Sequence, residues 1–163
     1  MKICIVNPGR CGSTLLLGYL HKKLPGYSLI YEIIRPDLPN VENIIFKFQY
    51  LHCFQPMHGA DKYIVVDRKD KEAWLYSTYM SKKYNHFHGA LKQKFNFDVK
   101  EYSNAKQNLN MLYDSMWVPE RERLLSEGAD MVWYEDMKID EDVSINLPFL
   151  GNTKLEPVWS TTR

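Results

Sequence analysis

Cysteine is scarce in this chain, with three in 163 residues, at positions 4, 11 and 53. An odd and widely spaced set excludes a disulfide framework or a cysteine-built zinc site, and suits a reducing compartment. Net charge is scarce as well. At +1 the chain has no surplus to draw it to nucleic acid or to an anionic membrane, so neither is expected as a partner. No apolar run approaches the length of about 20 residues that a membrane span needs. The N terminus enters an apolar stretch without the charged-then-apolar segment of an export signal, so a cytoplasmic location is expected. Internal repeats, low-complexity tracts and long linkers are also missing, which leaves residues 1–163 as a single domain with enough chain for one substantial core. Hydrophobic residues at 45% and charged residues at 25% are the balance of an ordinary globular protein.

The first sixteen residues carry the clearest signal. Cys4, Ile5 and Val6 form a short apolar run that fits a strand covered on both faces. Pro8, Gly9 and Gly12 break it and permit a tight backbone path. Ser13 and Thr14 suit a helix start, and Leu15, Leu16, Leu17 and Leu20 supply that helix with an apolar side. A strand running through a glycine-bearing loop into a helix offers backbone N–H groups and a positive dipole end, which makes an anion site and most naturally a phosphate site. The plain alternative is a strand–turn–helix that binds nothing. The loop is not a nucleoside-triphosphate loop, because Ser13 follows Gly12 directly and the lysine of that pattern is missing. Its one cation, Arg10, precedes the last glycine.

Along the rest of the chain, strands are expected at residues 27–34, 43–50, 63–67 and 131–134. Helices are expected at 71–83 and over most of 101–128, with Pro119 either kinking the second or opening a further one. Residues 84–97, rich in aromatics, read as loop, and residues from 138 onward are weakly patterned. The alternation of strand and helix predicts an α/β fold with a parallel sheet and helices on both faces. Ligands of such sheets bind beyond the carboxyl ends of the strands, where the first loop, Glu32, Arg68 and Tyr134 all fall. His86 and His88 lack a clear third ligand, so no metal site is expected.

Arg10-Cys11-Gly12-Ser13-Thr14-Leu15-Leu16 resembles the 5′-phosphosulfate loop of sulfotransferases that use 3′-phosphoadenosine 5′-phosphosulfate (PAPS), with Cys11 where Ser or Thr is more usual. The resemblance implies a three-layer, P-loop NTPase-like sulfotransferase fold, and a donor site formed by Arg10, Cys11, Gly12, Ser13, Thr14 and Leu15. In that family an Arg at a strand end and a Ser on the next helix hold the 3′-phosphate. Arg68-Lys69-Asp70-Lys71 followed by Ser77 looks like that element. Lys69 stands at the family's usual distance from Ser77 and Arg68 one residue farther, so the register stays open, with Arg68 favoured for its two parallel hydrogen bonds to phosphate. Tyr134-Glu135-Asp136-Met137 is similar to a Tyr-Glu-Asp-Leu element that brings a tyrosine near the nucleotide, and Thr161, Thr162 and Arg163 stand where the family often has a basic loop.

The implied activity is transfer of a sulfuryl group from PAPS to a hydroxyl or amine of a small-molecule or glycan acceptor, with no metal. Arg10 would offset charge on the bridging oxygen. Glu32 is the first candidate for general base and His52 the second. Lys47-Phe48-Gln49 is similar to a Lys-x-His strand end of the family, with Gln49 in the place of that His. Two other readings stand beside this one: a nucleotide or small-molecule kinase with a degenerate phosphate loop, and a non-catalytic nucleotide-binding module.

Overall fold

The computed structural model describes residues 1–33, 35–38, 40–84 and 98–137, together with the backbone of 143–147 and 151–155. Strand β1 (Lys2–Asn7) leads to helix α1 (Ser13–Lys23), then β2 (Ser28–Ile33), β3 (Ile44–Gln49), the single-turn α2 (Tyr50–Cys53), β4 (Lys62–Asp67) and α3 (Lys71–Lys83). Helix α4 (Val99–Leu112) passes through a π-helical turn (Tyr113–Trp117) into α5 (Val118–Ser126), followed by β5 (Asp130–Trp133) and a 3₁₀ turn (Tyr134–Asp136). Five strands form one sheet in the order β2-β3-β1-β4-β5, and every pair in it is parallel. The expected α/β architecture with helices on both faces is therefore present.

Strand β1 is central, and its side chains serve both layers. Ile3 and Ile5 join α1 (Leu15, Leu16, Tyr19, Leu20) on one face of the sheet. Cys4 and Val6 join Trp74 and Leu75 of α3, Leu109 of α4 and Trp117 and Leu124 beyond it on the other. That double burial explains why the strand reads as a continuous apolar run instead of an alternating one. From β1 the chain goes through α1 to β2 and back to β3 on one side, then crosses to β4 and β5 on the other. The sheet order thus reverses between β1 and β4, and the crevice at their carboxyl ends is flanked by residues 8–12 and 68–70.

Several expected boundaries shift, each for a local reason. Helix α4 starts at Val99 because the Asp98 carboxylate accepts the Glu101 N–H and caps it. The expected helix over 101–128 is three segments. The Val118 N–H reaches the Tyr113 carbonyl across a widened turn, and Pro119 follows at the start of α5, where its missing N–H is tolerated. Tyr134 lies in the 3₁₀ turn and not in the fifth strand. The weakly patterned C-terminal stretch contains an antiparallel pair, β6 (Val143–Leu147) with β7 (Gly151–Leu155), which the sequence pattern did not predict. The aromatic loop with His86 and His88, and Thr161 to Arg163, lie outside the described residues. Among the described residues no helix is long and apolar enough to cross a membrane.

Candidate functional site: an anion-binding crevice

The loop after β1 is held from three sides. Buried Asn7 donates through Nδ2 to the Phe48 carbonyl (3.0 Å), while its Oδ1 accepts the Gly9 N–H (2.9 Å). The Trp74 indole of α3 donates to the Gly9 carbonyl at 2.7 Å. Between these anchors the backbone turns left-handed at Gly9 (φ 93°), Arg10 (φ 55°) and Gly12 (φ 76°). At both glycines the positive φ disfavours an L side chain, and at Gly12 an aromatic ring also occupies the space a Cβ would need. A Cβ at Gly9 would fall 2.3 Å from the Gln49 amide nitrogen, and one at Gly12 would fall 2.5 Å from the Tyr134 ring. Arg10 adopts the same region without being glycine, at a cost of about 1–2 kcal/mol. Its side chain crosses the crevice, and Nε donates to Ser77 Oγ on α3 at 3.2 Å.

Helix α1 begins with no side chain capping it. The Gly12 carbonyl accepts the N–H groups of Leu15 and Leu16. The dipole end of α1 therefore faces the crevice without a side-chain acceptor to neutralise it. Cys11 and Leu15 turn their side chains into the core, Cys11 donating to the Val66 carbonyl at 3.2 Å, so only their backbone faces a ligand. Thr14 is half-buried at the rim.

Beside Thr14 lies a cation that the sequence analysis did not assign to the site. Lys47 shares the α1 face of β3 with Ile45 and is 4% exposed. Its Nζ donates to Thr14 Oγ1 (3.2 Å), lies 3.4 Å from Glu32 Oε2 and sits 4.5 Å from the Tyr31 ring centroid. The Tyr31 hydroxyl is also 3.3 Å from Thr14 Oγ1. Adjacent strand residues normally point to opposite faces, but the β2–β3 register slips between Ile30 and Ile33, so Tyr31 and Glu32 both reach Lys47. Glu32 Oε1 is buried without a hydrogen-bond partner, with His52 Nδ1 3.7 Å away. The signal that could have marked Lys47 is a lone charge between Phe46 and Phe48 in a strand buried on both faces, where a lysine is rare unless paired.

The second basic run resolves into separate roles. Lys69 turns away, its Nζ on Asp136 at 2.5 Å and its backbone N–H on Glu135 at 2.9 Å. Asp70 caps α3 through the Ala73 N–H, and Lys71 pairs with Asp114. Arg68 remains at the crevice, its guanidinium 4.2 Å from the Tyr134 ring centroid and its Nε buried without a hydrogen-bond partner. Burial, and then the neighbouring Arg68 charge, lower the Arg10 pKa from its ordinary value. Two guanidiniums this close repel each other, and a shared anion relieves that repulsion.

The structure thus brings Arg10, Gly12, Ser13, Thr14, Ser77, Arg68 and Tyr134 to one crevice, with Lys47, Glu32 and His52 on its β2 side. Gln49 packs on Gly9. Asp67, at the end of β4, is fully buried and engaged by four donors, so it has no oxygen to spare for a magnesium ion. No cluster of three or more His, Cys, Asp and Glu able to hold a metal ion occurs among the described residues. A groove of about 400 Å³ between α3 and α4, lined by Tyr79, Lys83, Glu101 and Leu109 among others, shares no residue with the crevice. Comparison of the chain with protein-family models, with curated proteins and with solved structures finds no match.

Proposed function

We propose that the chain is a PAPS-dependent sulfotransferase, transferring a sulfuryl group to a hydroxyl or amine of a small-molecule or glycan acceptor. The observation that carries this reading is the Arg10–Ser77 hydrogen bond of 3.2 Å. It joins the loop expected to hold the 5′-phosphosulfate to the helix expected to hold the 3′-phosphate, at the carboxyl ends of the strands. The residues present suit a bisphosphorylated nucleotide. Arg68 Nε is a buried donor in want of an acceptor, the α1 terminus has no capping side chain, and Arg10 and Lys47 bring further positive charge.

The donor supplies an SO3 group bound through oxygen to its 5′-phosphate. The chain's contribution is alignment and charge. The start of α1 and Thr14 hold the phosphate, and Arg10 and Lys47 offset the negative charge that grows on the leaving oxygen. Arg68 and Ser77 anchor the other end of the nucleotide against Tyr134. Glu32, with one carboxylate oxygen lacking a hydrogen-bond partner, accepts the acceptor's proton, and His52 lies beside it. A kinase would need a carboxylate for Mg2+, and the saturation of Asp67 counts against that alternative.

Calorimetry with 3′-phosphoadenosine 5′-phosphate tests the reading. Saturable binding is expected, and neither heat nor thermal shift at millimolar ligand would end it. With PAPS and a panel of alcohols and amines, Arg10→Ala is expected to lose transfer, and Glu32→Gln to lose transfer while keeping nucleotide binding. Binding without turnover on any acceptor would instead support a non-catalytic nucleotide module.

A further inference from the structure

The Asp67 carboxylate takes no part in the proposed chemistry, yet much of the molecule is arranged around it. Three donors converge on Oδ2: the Tyr113 hydroxyl at 2.7 Å, the Trp117 indole at 2.8 Å and Arg121 Nη1 at 2.8 Å. Oδ1 accepts the backbone N–H of Arg68 at 2.8 Å. Tyr113, Trp117 and Arg121 are spaced four apart. On a regular α-helix such a stripe drifts by about 40° per step. The π-helical turn between Tyr113 and Trp117 widens the coil there, and all three side chains meet one oxygen atom.

A buried ion pair of this kind is a poor way to stabilise a fold, since well-packed apolar residues commonly do better. Its other consequence is local. Asp67 is the last residue of β4, and its bond to the Arg68 N–H fixes the first backbone step out of the sheet. Tyr134 stacks against the guanidinium at the far end of the same residue. Arg68 is therefore constrained at both ends, with its buried Nε still lacking an acceptor.

We infer that Tyr113, Trp117 and Arg121 are positioning residues for Arg68, acting through Asp67, and that they set the preference for a nucleotide carrying a 3′-phosphate over one phosphorylated at the 5′ position alone. The inference rests on the assignment of Arg68 to the 3′-phosphate made above.

The test compares the affinities of 3′-phosphoadenosine 5′-phosphate and adenosine 5′-monophosphate in the wild type and in Arg68→Ala, Tyr113→Phe and Trp117→Phe. Tyr113→Phe removes one hydroxyl from a ring that stays packed on Trp74, with centroids 4.8 Å apart, so it is the variant least able to disturb the fold. The wild type is expected to prefer the bisphosphate and Arg68→Ala to lose the preference. Tyr113→Phe is expected to weaken the bisphosphate about tenfold and the monophosphate by less than about twofold. A wild type with no preference would overturn the reading of the Arg68 site and this inference with it. A wild type with the preference, alongside a folded Tyr113→Phe that keeps it or loses both ligands equally, would overturn the positioning role alone.

Discussion

Lys47→Met separates the ion pair that Lys47 makes with Glu32 from the anion-binding role proposed for it. The substitution keeps an unbranched apolar stem and removes the charge. Nζ is 3.4 Å from Glu32 Oε2 and 3.2 Å from Thr14 Oγ1, on a residue that is 4% exposed. Breaking a fully buried ion pair costs about 3–5 kcal/mol. The Glu32 side chain is 25% exposed, so solvent screens much of that, and a loss of about 1 kcal/mol in unfolding free energy is expected. For a chain of this size, that lowers Tm by about 2–4 °C. Nucleotide binding should suffer more. A charge-assisted hydrogen bond to phosphate is worth about 1.5–3 kcal/mol, so affinity for 3′-phosphoadenosine 5′-phosphate should fall about ten- to a hundredfold. Glu32→Gln supplies the other corner of a double-mutant cycle. Its stability cost should be smaller in the Lys47→Met background than in the wild type by about 1 kcal/mol, measured by urea unfolding. If Lys47→Met shows the expected Tm loss while binding weakens by less than about threefold, Lys47 is a counterion for Glu32 and has no part in the anion site.

The glycine at position 12 offers a steric test with an internal control. Gly12→Ala must place a Cβ 2.5 Å from the Tyr134 ring at φ 76°, whereas Gly128→Ala at φ 90° meets nothing within 4 Å. Gly128→Ala should cost about 1–2 kcal/mol from the backbone alone, and Gly12→Ala about 1–3 kcal/mol beyond that, read from urea midpoints; equal losses would deny the Gly12–Tyr134 contact. In the folded protein, iodoacetamide should label Cys53 first. Burial raises the thiol pKa of both Cys4 and Cys11, and the Asp67 charge raises Cys11 further, so peptide mass mapping that finds Cys11 labelled as fast as Cys53 would contradict the packing of the loop. Burial and then Asp67 also hold the Tyr113 phenol above its ordinary pKa of 10.0. The folded state therefore keeps that proton after the unfolded chain has released it. The stabilisation is full below about pH 10 and is lost as pH rises beyond, so wild-type stability should fall more steeply there than that of Tyr113→Phe. Parallel slopes would remove Tyr113 from the Asp67 network.

What the sequence disclosed follows the reach of the interactions involved. The β1–loop–α1 unit was legible because its determinants are contiguous: an apolar run, two glycines in a tight turn, and leucines at helical spacing. The parallel sheet was legible because short strands and helices alternate along the chain. Which of Arg68 and Lys69 faces the crevice was not, because it depends on Glu135 and Asp136, more than sixty residues away, which draw Lys69 aside. Tyr31 and Glu32 both reach Lys47 through a register slip in the neighbouring strand, and no pattern within β3 reports that slip. The π-helical turn left one local trace, Pro119, which marks an interrupted helix without saying how it is interrupted. In each case the missing information is which distant group satisfies a buried polar atom. The Asp67 network makes the point in energetic terms. Its three side-chain donors lie 46, 50 and 54 positions away, none is informative alone, and removing one leaves a buried carboxylate short of a partner. The crevice therefore has a local half, written in the first sixteen residues, and a non-local half that exists only once α5 and the Tyr134 turn have docked against β4.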